Sequence, residues 1–205
     1  MNDLVYKYKN NLYLNITNRC TSNCPYCIKN KWDWNYRSYN LKLDKEPAPE
    51  EIINEIKTAM NKHKSLEEFI FCGYGEPFLR LDVVKEVSGF IKSVNKPVRI
   101  NTNGHANLIH KRDICPELKG LVDKISISLN GDTSEKYYEI NKPVFGIETF
   151  NAVLQFITSC KKYIPDITVT AVEMEGINIE NCREIARKLD IKFMVRPFLD
   201  EYETK

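Results

Sequence analysis

Along this chain, short runs of apolar or alternating residues take turns with longer stretches whose apolar positions recur at helical spacing. Leu12, Leu14 and Ile16 alternate with other residue types, which predicts a strand over 12–17. The same kind of signal predicts strands over 68–72, 97–101, 124–129, 167–172 and 192–196. Several end in turn chemistry: Gly73-Tyr74-Gly75, Thr102-Asn103-Gly104 and Asn130-Gly131. Between the strands the spacing predicts helices over 49–64, 81–94, 133–140, 147–162 and 179–189. In the first of these, Ile52, Ile53, Ile56 and Met60 make one apolar stripe. Glu50 and Glu51 stand at its start and Lys62 and Lys64 at its end, which suits the helix dipole.

Six strands alternating with helices are the pattern of parallel βαβ units. A closed eight-unit barrel takes about 250 residues, and this chain has 205. The expected fold class is therefore α/β. It is an open, partial (βα)6 TIM-like barrel, with a doubly wound sheet as the other arrangement. No linker or low-complexity tract interrupts the series, so residues 1–205 read as a single domain. In either arrangement ligands bind at the C-terminal ends of the strands, where the stretches 73–77, 101–104 and 128–131 fall.

Charge and cysteine content narrow the function. Thirty Lys and Arg against 28 Asp and Glu leave +2, too near balance for a protein that grips nucleic acid through a basic face. The N-terminal segment holds no apolar run fit for a signal peptide, and no stretch reaches the roughly 18 apolar residues of a membrane span. The expectation is a cytoplasmic protein, without a membrane partner, whose cysteines are reduced. Of seven cysteines, three cluster as Cys20-Thr-Ser-Asn-Cys24-Pro-Tyr-Cys27. Three thiolates on one loop can each take one iron of a cubane and leave the fourth iron open for catalysis. A zinc site is the alternative, although His63, His105 and His110 lie far away in sequence. Cys72, Cys115, Cys160 and Cys182 are scattered and read mainly as small buried residues.

This loop, with Tyr26 before its last cysteine and a βα series around it, resembles the radical SAM superfamily over nearly the whole chain. The resemblance implies a [4Fe–4S] cluster on Cys20, Cys24 and Cys27, with S-adenosylmethionine (SAM) on the open iron. It implies reductive cleavage to a 5′-deoxyadenosyl radical, which takes hydrogen from a substrate, and an electron donor such as flavodoxin or ferredoxin. It places Gly73, Tyr74, Gly75 and Glu76 against the methionine amino group, with Tyr74 where a glycine is usual. Thr102 or Asn103, and Ser128 or Asn130, fall near the ribose and carboxylate, with Lys142 as a basic partner and 171–173 against adenine. The stretches 71–77, 99–110 and 143–146 are more closely similar to the TatD-associated radical SAM proteins. The core also looks like carboxy-deazaguanine synthase and glycyl-radical activases.

The remaining polar groups at the strand ends are substrate candidates: His105, Asn107, His110 and Arg112, then Glu173, Glu175 and Arg196. The expected substrate is an unidentified small molecule, peptide or protein. Trp32, Trp34, Tyr36 and Tyr39 could stack on a base or form a lid over the open barrel edge. No cysteine follows residue 182, so a second cluster is not expected. The rival functions are an activase acting on a protein glycine and a non-catalytic Fe–S or zinc sensor.

Overall fold

The structure is a computed structural model that describes residues 2–199. The polar tail 200–205 lies outside the described residues. The chain opens with an antiparallel hairpin, β1 (Val5–Tyr8) and β2 (Asn11–Leu14). The cysteine loop and a short helix, α1 (Ile28–Lys31), follow. A two-stranded hairpin comes next, β3 (Asn35–Tyr36) with β4 (Tyr39–Asn40). The βα series then runs α2 (Pro49–Lys62), β5 (Glu68–Phe71), α3 (Leu81–Ser93), β6 (Val98–Thr102), α4 (Ala106–His110) and β7 (Lys124–Ser128). It continues with α5 (Ser134–Asn141), α6 (Thr149–Cys160), β8 (Asp166–Glu173), α7 (Ile179–Lys188) and β9 (Lys192–Pro197).

Strand order decides between the two arrangements left open. The sheet reads β1-β2-β5-β6-β7-β8-β9, and every neighbour from β2 onward is parallel. A doubly wound sheet reverses its order at a switch point; this one never does. Six parallel strands in sequential order are the open (βα)6 arrangement. Crossovers of one hand put the helices on one face of such a sheet.

The two faces differ in chemistry as this winding requires. Strand side chains alternate between faces. On one face Ile100, Ile125 and Ile167 stand side by side, then Ile127, Val169 and Phe193. They pack in one core with Val84, Val87 and Ile91 of α3 and Val153, Phe156 and Ile157 of α6. The other face carries Asn101, Ser126, Thr168 and Lys192 in one row and Ser128, Thr170 and Met194 in the next. Parallel sheets buried on both faces read as near-continuous apolar runs. A polar row here sets this face apart from the core face.

The six predicted strands and five predicted helices all form, with ends shifted by a few residues. The helix expected over 49–64 stops at Lys62, because His63 turns extended. Its start is fixed by the Glu51 carboxylate, which accepts from the Ala48 amide at 2.7 Å. Strand β1, the β3–β4 hairpin and α4 carry too little periodicity to be read from sequence. The first two come together through aromatic packing: Tyr6 stacks on Tyr13 at 5.1 Å and meets Tyr36 and Tyr39 at 5.8 and 5.6 Å. The aromatic segment thus covers the sheet at its β1–β2 edge.

Candidate active site

The cysteine loop begins where β2 ends, and its course is set by packing that the two glycines of 73–75 permit. A Cβ on Gly75 would stand 2.3 Å from the Thr17 carbonyl oxygen and 2.6 Å from that of Arg19. One on Gly73 would stand 2.2 Å from Asn15 Oδ1. These glycines therefore let the turn after β5 press against the root of the cysteine loop, where the Glu76 amide donates to the Arg19 carbonyl at 2.8 Å. Tyr74 turns into the aromatic cluster, and its hydroxyl donates to the Asn35 carbonyl at 2.5 Å.

Glu76 is 2% exposed, and its carboxylate joins two strand ends. It accepts from Thr102 Oγ1 at 2.8 Å, from the Asn103 amide at 2.8 Å and from the Phe78 amide at 3.1 Å. Burial pushes its pKa up to about 7, against these three hydrogen bonds, which pull it down. The side chains of Glu76 and Thr102 are thus bound to each other.

The far side of the loop is clamped by Asn141, the last residue of α5. Its Nδ2 donates to the Asn130 and Tyr137 carbonyls, each at 3.0 Å, and its Oδ1 accepts from the Tyr26 hydroxyl at 2.7 Å. Its carbonyl accepts from the Asn23 amide at 3.1 Å and from the Cys24 thiol at 3.6 Å. Asn130 Nδ2 donates back to the Tyr26 hydroxyl at 2.8 Å, and Asn130 Oδ1 accepts from the Val172 amide. Tyr26 and Asn130 are thereby tied to the ends of β7 and β8. Lys142, exposed and left-handed at φ 43°, sits directly beside this clamp.

Cys20, Cys24 and Cys27 are free thiols, each partly exposed. Burial pushes the Cys20 thiol up to about 11 and raises that of Cys24. Among the described residues, no three His, Cys, Asp or Glu side chains converge on a point that one metal ion could occupy. A cubane has no such need, because each thiolate meets a different iron. The donor set, three thiols on one exposed loop, suits such a cluster. The polar face also suits a polar ligand: Asn101 Oδ1 and Thr170 Oγ1 are buried there without a hydrogen-bond partner, next to Ser126 and Ser128. Of the other cysteines, Cys115, Cys160 and Cys182 are buried in the core, and Cys72 is half-buried beside Gly73.

The structure does not bring the expected substrate residues together. His105 is 0% exposed; its Nδ1 lies 2.8 Å from Thr21 Oγ1 and its Nε2 2.7 Å from the Tyr137 hydroxyl. Asn107 holds Asp113 and the Ile114 amide, His110 donates to the Phe78 carbonyl, and Arg112 pairs with Glu117. These four groups are spent on the framework around α4. Arg196 stands beside Val172, whereas Glu173 stands beside Pro197. Successive residues of a strand point to opposite faces, so Glu173 and Arg196 are turned apart. Glu175 is exposed beyond the end of β8. Asn141, Thr21 and Tyr137 carried no motif and left no signal in the sequence.

Burial also makes His105 an acid sensor for the fold. It holds the imidazole pKa down to about 3 from an ordinary 6.5. The unfolded chain takes up the proton near 6.5, while the folded protein refuses it until about 3. Stability from this residue is complete above 6.5 and is lost as pH falls through that window. At pH 5 the loss is about 2 kcal/mol. Urea unfolding of wild type and His105→Gln at pH 7.5 and pH 5 checks this. Wild type should lose more by about that amount; equal losses would refute it.

Comparison with known proteins gives the same picture. The family model described as "Radical SAM superfamily" matches residues 14–189. An uncharacterized protein of Methanocaldococcus jannaschii is 30% identical, over 86% of this chain and 52% of that one. A second protein of that organism, provisionally named a glycyl-radical enzyme activating enzyme, is 31% identical over 70% of this chain and 53% of its own. This chain therefore spans about half the length of the curated relatives it matches. A radical SAM methyltransferase from Sphaerobacter thermophilus shares the fold, with TM-score 0.58 at 13% identity over 94% of this chain and 68% of that one. Among the described residues no helix is long and apolar enough to cross a membrane.

Proposed function

This chain belongs to the radical SAM superfamily, and we propose that it is the core of an enzyme that starts its reaction by hydrogen abstraction from a substrate. Members of the superfamily are enzymes that use a [4Fe–4S] cluster and SAM. When bound, these supply a 5′-deoxyadenosyl radical after one-electron reduction by a donor such as flavodoxin or ferredoxin. The observation that carries the reading is the loop of three partly exposed thiols beside a polar sheet face with orphaned buried polar atoms.

In this reading Cys20, Cys24 and Cys27 hold the cluster. Ser128, Thr170 and Asn101 meet SAM from the polar face, and Lys142 meets it from the rim. Main-chain groups of 73–75 meet the methionine end. Glu76 and Thr102 act by joining the ends of β5 and β6, and Asn130 by holding Tyr26 of the cysteine loop against β8, since their side chains are already committed to these bonds. The aromatic segment 32–39 excludes water at the β1–β2 edge. The TatD-associated group is the subgroup we favour, on the stretches 71–77, 99–110 and 143–146.

Anaerobic reconstitution tests the proposal. About four irons should bind per chain, and reduction with added SAM should release 5′-deoxyadenosine. Full iron loading without that product would overturn it. A second reading, with a protein glycine as substrate, draws on the 31% identical relative. A glycyl radical signal on an added protein would select it.

A further inference from the structure

Cys20 lies in a different setting from its neighbours. Its sulfur accepts from the Ser22 amide at 3.4 Å and from Asn103 Nδ2 at 3.7 Å. Cys24 instead faces acceptors, the carbonyl and side-chain oxygens of Asn141. The orientation of the Asn103 amide follows from its surroundings. Its Oδ1 accepts from the His105 backbone amide at 3.0 Å, so its Nδ2 must point at the loop, where it also donates to Thr21 Oγ1 at 3.0 Å.

That bond leaves the Thr21 hydroxyl hydrogen available for the next one. Thr21 Oγ1 accepts from Asn103, so its own hydrogen is free to go to His105 Nδ1. His105 then carries its proton on Nε2 and donates to the Tyr137 hydroxyl. The row Tyr137–His105–Thr21–Asn103 is buried or half-buried throughout. It holds one N–H donor, that of Asn103, against the Cys20 sulfur.

We propose that Asn103 is a positioning residue whose side-chain amide donates to the Cys20 sulfur and raises the reduction potential of the cluster, held in register by Thr21 and His105. Hydrogen bonds to cysteine sulfurs are among the features that set Fe–S potentials. A donor stabilises the extra negative charge of the reduced state, so its loss disfavours reduction. This deepens the proposed function and rests on Cys20 being a cluster ligand.

The test is an EPR-monitored redox titration of reconstituted wild type, Asn103→Asp and Asn103→Ala, with iron measured in each. Both variants should keep their iron. At a fixed potential the ratio of reduced to oxidised cluster should fall about tenfold, equivalent to about 59 mV for one electron. Thr21→Val should move it in the same direction by less. Full iron with an unmoved potential in both Asn103 variants overturns the proposal. So does loss of the cluster from both, because the assigned role is tuning and not retention. A wild type that binds no cluster fails the proposed function itself, which keeps the two failures distinct.

Discussion

Replacing Cys24 with alanine should abolish cluster binding and SAM cleavage while leaving the metal-free fold almost unchanged. Cys24 is partly exposed; its thiol makes long contacts with Asn141, at 3.6 and 3.8 Å, and lies against the Tyr26 hydroxyl, which keeps its bonds to Asn141 and Asn130. Its removal leaves the polar clamp of Asn141 on Tyr26, Asn130 and Asn23 intact. The stability change should stay within about 0.5 kcal/mol, as for surface substitutions away from special features. Release of 5′-deoxyadenosine should fall by more than about a hundredfold, beyond what outer-shell changes at metal sites cost. The controls are Cys182→Ala and Cys72→Ala, which should load iron normally. Iron analysis with product assay decides: a Cys24→Ala protein that keeps its iron and cleaves SAM would refute the ligand assignment.

Gly75→Ala should do the reverse, damaging the fold first and the site with it. The new Cβ would meet two carbonyl oxygens, at 2.3 and 2.6 Å, in a backbone segment that also receives the Glu76 amide. Neither oxygen belongs to a flexible side chain that could swing away. The turn after β5 must therefore part from the root of the cysteine loop. The cost should reach about 3 kcal/mol, at the upper end for overpacking, and iron loading should fall with it. Gly89→Ala is the control, since nothing lies within 4 Å of a Cβ placed there. Denaturant unfolding of the metal-free proteins would settle it; a Gly75→Ala protein as stable as wild type would show that the turn yields easily.

The Cys24 expectation could be written from sequence, because three cysteines in one short loop are a local pattern. The Gly75 expectation could not. Sequence reading placed Gly73 and Gly75 against a ligand; the structure adds that Gly73 leaves room for the Asn15 side chain and Gly75 for the Thr17 and Arg19 carbonyls. The strands were legible for a local reason too: alternation in β6 and β7 survives in their burial, one face in the core and the other half-open. Strand β1 and the β3–β4 hairpin were not legible, because ring contacts between them, Tyr6 with Tyr36 and Tyr39, join residues distant in sequence.

By itself, the sequence determined the family, the six parallel strands alternating with helices and the polar turns that close them. These depend on residue type and on spacings of a few positions. The tertiary structure decided which polar groups are spent and which are left to act. His105 lies 84 residues from Thr21, and Asn141 lies 115 from Tyr26. A buried polar group takes whatever partner the fold delivers, because leaving it unpaired costs about 1–3 kcal/mol. That choice of partner is made across the sheet and not along the chain, so the side chains of Glu76, His105 and Asn141 are bound to the framework while Asn101 Oδ1 and Thr170 Oγ1 are left buried without a partner.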